Sequence, residues 1–121
     1  MLRQTETVAL DRGRLGDLYQ QLGPASAENV LCRTLEELAL RMTQLDRSHA
    51  AGNHDAMRKS AKLLSAIADQ IGMDTLARVS RDLIGCIDAG DGIAIAAVLA
   101  RLIRSGESSL TAIWDLQDVT L

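Results

Sequence analysis

Ser60-Ala61-Lys62-Leu63-Leu64-Ser65-Ala66-Ile67-Ala68-Asp69-Gln70-Ile71-Gly72 is the stretch that decides the fold. With Met57 ahead of it, the apolar positions Met57, Ala61, Leu64, Ala68 and Ile71 alternate spacings of four and three. That is the stripe of a helix with one buried face. The two alanines in the stripe admit a neighbouring helix at close range. At about 100° per residue the opposite side carries Asp55, Lys59, Lys62, Ala66 and Asp69, flanked by Arg58 and Ser65. Lys62 therefore points to solvent, and Gly72 supplies a left-handed stop.

The neighbouring segments repeat the pattern. Upstream, Leu31, Leu35, Leu38, Met42 and Leu45 form a second stripe, with Ser26 as the expected N-cap and His49 as a half-buried residue near the helix end. Ala50-Ala51-Gly52-Asn53 breaks that helix, and the next begins near Asn53 or His54. Downstream, Asp74 starts a helix with Leu76, Val79, Leu83 and Cys86 on one face, Ile84 and Ile87 beside it. Gly90-Asp91-Gly92 is a turn, with Asp91 as the cap of a last helix that places Ile95, Leu99, Leu102, Gly106, Ser109, Leu110 and Ile113 inward. Trp114 is expected to anchor that helix on the base of the bundle. Near the N-terminus, Asp11 caps a short helix with Leu15, Leu18 and Leu22 on its apolar face, stopped by Gly23-Pro24.

The expected fold is all-α: an up-and-down antiparallel four-helix bundle with a short N-terminal helix, the economical solution for long amphipathic helices joined by short turns. Residues 1–9 read as a flexible tail and 10–121 as one domain. A chain of 121 residues buries about two-thirds of its unfolded surface on folding. At 47% hydrophobic with no Phe, one Trp and one Tyr, the core is built from Leu, Ile, Val, Met and Ala.

A net charge of −3 gives no basic field for nucleic acid. No apolar run is long enough to span a bilayer, and the N-terminus, with Arg3 and Glu6, lacks the apolar core of a signal peptide, so the expected location is cytoplasmic, away from membranes. Cys32 and Cys86, far apart and without CxxC spacing, read as buried thiols. The acids Glu36-Glu37, and Asp115 with Asp118, read as solvated charge. His49 and His54 are five residues apart across a Gly-Asn break, not the four of a helical metal clamp, so no metal or cofactor is expected. The chain contains no G-x-S-x-G elbow, P-loop, H-E-x-x-H or G-x-G-x-x-G motif.

From Lys62 onward, Lys62-Leu63-Leu64-Ser65-Ala66-Ile67-Ala68-Asp69-Gln70-Ile71-Gly72-Met73-Asp74-Thr75-Leu76 resembles the hallmark of histidine-containing phosphotransfer (HPt) domains, approximately H-x-L-K-G-x-A-x-x-[apolar]-G-x-x-x-L. Leu64, Ala68, Ile71, Gly72 and Leu76 match it; the stretch Leu45 to Asn53 and the later Gly90-Asp91 resemble the family's turns, and the likeness covers roughly residues 10–116. The chemical positions differ. Lys62 stands where the family has its phosphohistidine, Ser65 where it has an assisting lysine, and Ala66 where it has a glycine.

Histidine accepts a phosphoryl group because a neutral ring nitrogen is nucleophilic near neutral pH. An exposed lysine is an ammonium whose lone pair is occupied. The resemblance therefore implies a pseudo-phosphotransfer module with no catalytic residue. It docks a response-regulator receiver or a histidine kinase through Arg58, Lys59, Lys62, Ser65, Ala66 and Asp69. Two other readings stay open: an active phosphotransferase using His54, eight residues before Lys62, and a structural or dimerising bundle in which Ala61, Ala68, Ala94 and Ala97 serve packing within or between chains. Oligomeric state does not follow from the sequence.

Overall fold

The structure is a computed structural model that describes residues 9–120, with side chains described through residue 115. Five helices follow in order: α1 (Arg12–Leu22), α2 (Pro24–Ala50), α3 (His54–Gln70), α4 (Asp74–Ala89) and α5 (Gly92–Thr120). Each long helix packs on its sequence neighbour, and α5 returns to α2, so α2 to α5 close a ring around one core while α1 lies on α2. The stripes read from the sequence are that core. Leu31, Leu35, Leu38, Met42 and Leu45 of α2, Met57, Ala61, Leu64 and Ala68 of α3, Leu76, Val79 and Leu83 of α4, and Ile95, Leu99, Leu102 and Ile113 of α5 are all buried. Each buried Leu or Ile contributes about 1.5–3 kcal/mol relative to an exposed one. No β-strand occurs among the described residues; Leu10 and Met73 form one isolated bridge.

The caps follow the polar side chains at the turns. Asp11 accepts from Arg14 N, Asn53 from Ala56 N, and Asp91 from Ala94 N, each satisfying a first-turn donor. Ser26 does not cap α2. The helix begins two residues earlier, with Gly23 as N-cap and Pro24 in its first turn, and Ser26 lies exposed inside it. Proline suits that place because its ring presets the helical φ and it has no N–H to leave unpaired.

Two further expectations are corrected. Trp114 is 50% exposed and does not anchor the bundle. Ile113 faces the core, and the next residue is turned about 100° away from it. Cys32 and Cys86 are free thiols but only partly buried, on the flanks of their helices.

The short N-terminal segment does more than precede α1. Asp11 N donates to Gly72 O at 2.6 Å, Asp74 N to Ala9 O at 3.0 Å, and Ala9 N to Thr75 Oγ1 at 2.7 Å. Ala9, expected at the end of a loose tail, is thus tied to the α3–α4 turn; residues 1–8 of that tail lie outside the described residues. Gly72 sits beneath this strap at φ +77°, and a Cβ there would come within 2.7 Å of Asp11 O.

Candidate functional site

On α3, Arg58, Lys62, Ser65 and Asp69 recur at spacings of four, three and four, so they form a row along the side of the helix. Two ion pairs identify what that row adjoins. Arg58 Nε donates to Asp88 Oδ1 at 2.8 Å and its NH2 group to Oδ2 at 3.3 Å, a two-point grip across to α4. Eleven residues along α3, Asp69 Oδ2 accepts from Arg81 at 3.2 Å. Residue numbers rise on α3 as they fall on α4, so the two helices run antiparallel here and the pairs bracket the row at its ends.

Between those pairs the surface is low. Lys62 and Ala66 are exposed and Ser65 is half-buried; Lys59, one turn before Lys62, is also exposed. On α4, Gly85 lies between Arg81 and Asp88, is exposed, and has open space where a Cβ would stand. Neither Lys59 nor Lys62 has a carboxylate within ion-pair distance among the described residues. A flexible ammonium therefore rises from a patch of small side chains, with its two flanks cross-linked.

The electrostatics follow the geometry. Hydrogen bonds from Arg58 hold the Asp88 carboxyl below the usual carboxylate range; partial burial opposes this, and the charges of Arg58 and Lys62 reinforce it. The same pairing pushes the Arg58 guanidinium up, foremost through the hydrogen bond and then through the charge of Asp88. Asp88 thus senses Lys62 as well as Arg58.

The six expected docking residues do share one helix face, but not all as free groups. Lys59, Lys62 and Ala66 are open. Arg58 and Asp69 are each committed to α4, and Asp69 also accepts a hydrogen bond at its backbone O from Arg14 of α1. The sequence reading missed Asp88, Arg81 and Arg14. A usable signal existed for two of them: Arg81 and Asp88 are seven residues apart, two turns of the same flank of α4.

His54 is the first residue of α3 and is exposed, two turns from Lys62. His49 is half-buried near the end of α2. No group of three His, Cys, Asp or Glu among the described residues is placed to hold a metal ion. Glu36, Glu37 and Asp115 are exposed, whereas the side chain of Asp118 lies outside the described residues. Of the small-residue positions, Ala61 and Ala68 are buried inside the bundle, Ala94 is half-buried and Ala97 exposed. No helix among the described residues is long and apolar enough to cross a membrane. No family model, curated protein or solved structure matches the chain.

Proposed function

We propose that the chain is a two-component phosphorelay module of HPt type that docks a response-regulator receiver or a histidine kinase without carrying phosphate itself. The observation that carries this reading is Lys62, exposed at the middle of the outer face of α3, in the register position where the resembled family carries its phosphohistidine. The match of Leu64, Ala68, Ile71, Gly72 and Leu76 to the family pattern supports the same reading, since all five are buried and set that register.

The chemistry follows from the substitution. A receiver's phosphorylation pocket is a cluster of carboxylates that normally holds a divalent cation and a phosphoryl group. A compact cation on a four-carbon stem suits such a pocket, and Ser65 and Ala66, one turn along the same helix, are small. The ammonium has no lone pair to attack phosphorus, so docking ends without transfer. The protein then competes with a true transfer partner or reports the receiver's phosphorylation state.

Titrating the purified protein against a panel of receiver domains, with and without a phosphoryl donor, tests this. Binding without label transfer, lost in Lys62→Glu, is the expected result. Binding that is indifferent to Lys62→Glu refutes the role of that residue. Acid-labile label abolished by His54→Ala establishes the active-transferase reading in its place, and no binding to any receiver leaves the structural bundle.

A further inference from the structure

Asp88 stands in the last turn of α4, next to the left-handed Gly90 that ends the helix, and that turn contains no basic residue. A carboxylate there faces the negative end of the helix dipole, which disfavours it. Its compensation comes from another helix, through both donors of Arg58. The pair is exposed at both ends, 38% for Arg58 and 52% for Asp88, so water can replace either partner and the pair breaks at small cost.

Arg58, Lys59 and Lys62 are three cations within five residues of α3, with Asp55 and Asp69 the acids on the same face. Asp88 occupies one of the three and lies close enough to Lys62 to be influenced by its charge. Arg81, the charged residue two turns before Asp88 on this flank of α4, is already held by Asp69. An anionic group arriving at Lys62 therefore meets a repelling carboxylate and a guanidinium whose fork is engaged. The engaged edge, Nε with NH2, is the one that matches a carboxylate side-on, and Asp88 fills it.

We propose that Asp88 gates the docking face: its carboxylate occupies Arg58 in the free protein and yields that guanidinium to the carboxylates of an acidic partner pocket engaged by Lys62. The inference rests on the reading of this face as a docking surface and adds a residue that sets its affinity. Asp88 is an internal competitor, which keeps weakly acidic surfaces off the face and admits a partner with enough carboxylates to exchange with it.

The test has two arms on wild type, Asp88→Asn, Arg58→Gln and the double variant, with melting curves to establish that each is folded. In the first, inorganic phosphate is titrated while the Arg58 Nε–H resonance is followed by NMR. The apparent affinity read at Arg58 is expected to be about threefold or more tighter in Asp88→Asn, the effect of removing one unit charge about a helix turn away in a solvated setting. Equal affinities in the two proteins, or no response in Asp88→Asn, overturn the gate. In the second arm receiver binding is measured. Asp88→Asn is expected to tighten it by about threefold to tenfold at low salt, the gain shrinking in high salt. Arg58→Gln is expected to cost more affinity in the Asp88→Asn background than in wild type, because only there is the guanidinium already free. Additive effects mean a general field rather than an exchange and overturn the proposal. If no receiver binds any variant, the docking reading falls, and the phosphate arm still decides whether the Asp88 carboxylate weakens anion binding at Arg58.

Discussion

Replacing Gly72 with Ala separates two costs that are usually confounded. The first is conformational: Gly72 has φ +77°, where an L residue with a Cβ is disfavoured by about 1–2 kcal/mol. The second is spatial, because the new Cβ would lie 2.7 Å from Asp11 O and 2.8 Å from Asp11 Cβ. The first of these is backbone, and Asp11 N is itself bonded to Gly72 O, so relief requires moving the strap. Loosening its three hydrogen bonds adds about 1–3 kcal/mol, at a net of about 1 kcal/mol each. Gly90→Ala is the internal control: its φ is +69°, but a Cβ there meets nothing within 4 Å, so it bears only the first cost. Urea unfolding is expected to show Gly72→Ala destabilised by about 2–5 kcal/mol and Gly90→Ala by about 1–2. Equal losses in the two variants refute the close packing of residues 9–11 on the α3–α4 turn.

Leu64→Ala, which empties a fully buried position at the centre of α3, is expected to cost about 2–5 kcal/mol in the same assay. Ser109 is completely buried on α5 with its hydroxyl unpartnered among the described residues, so Ser109→Ala is expected to leave stability unchanged or raise it by up to about 1 kcal/mol; a clear loss means that the hydroxyl is bonded. For Asp88 the folded-state pKa lies below the unfolded one, so its stabilising contribution is present above the unfolded carboxylate range and is lost as pH falls through the folded value. Unfolding curves of wild type and Asp88→Asn are therefore expected to differ more at neutral pH than in acid, and a gap that widens on acidification contradicts the pairing with Arg58.

The helices were legible because each long one carries its own stripe, and a stripe depends only on spacing along one segment. The errors arose where two local signals competed or where size was taken for position. Ser26 and Pro24 both mark helix starts, and the proline acted first because its missing N–H needs no cap. Trp114 is the bulkiest residue of α5, yet the register that turns Ile113 inward turns it outward. The candidate site divides along the same line. The outward row of α3 follows from one helix's period, but that period does not say which helix lies alongside, so it leaves Arg58 and Asp69 without the partners Asp88 and Arg81 that lie across from them.

That cross-helix arrangement explains how one cation can be presented in a defined way on an exposed helix. Asp69 is held from two directions, its carboxylate by Arg81 of α4 and its backbone O by Arg14 of α1, whose first turn is in turn fixed by the strap over Gly72. One end of the row is thereby tied to two other helices, α1 and α4. The other end is tied by a single exposed pair, Arg58 with Asp88. The two ends differ in kind: the Asp69 end combines an exposed ion pair with a backbone contact to α1, and the Arg58 end has the two-point pair alone. Lys62 lies one turn from Arg58 and two from Asp69, so of the two cross-helix pairs it is the Arg58–Asp88 pair whose charges bear on its ammonium.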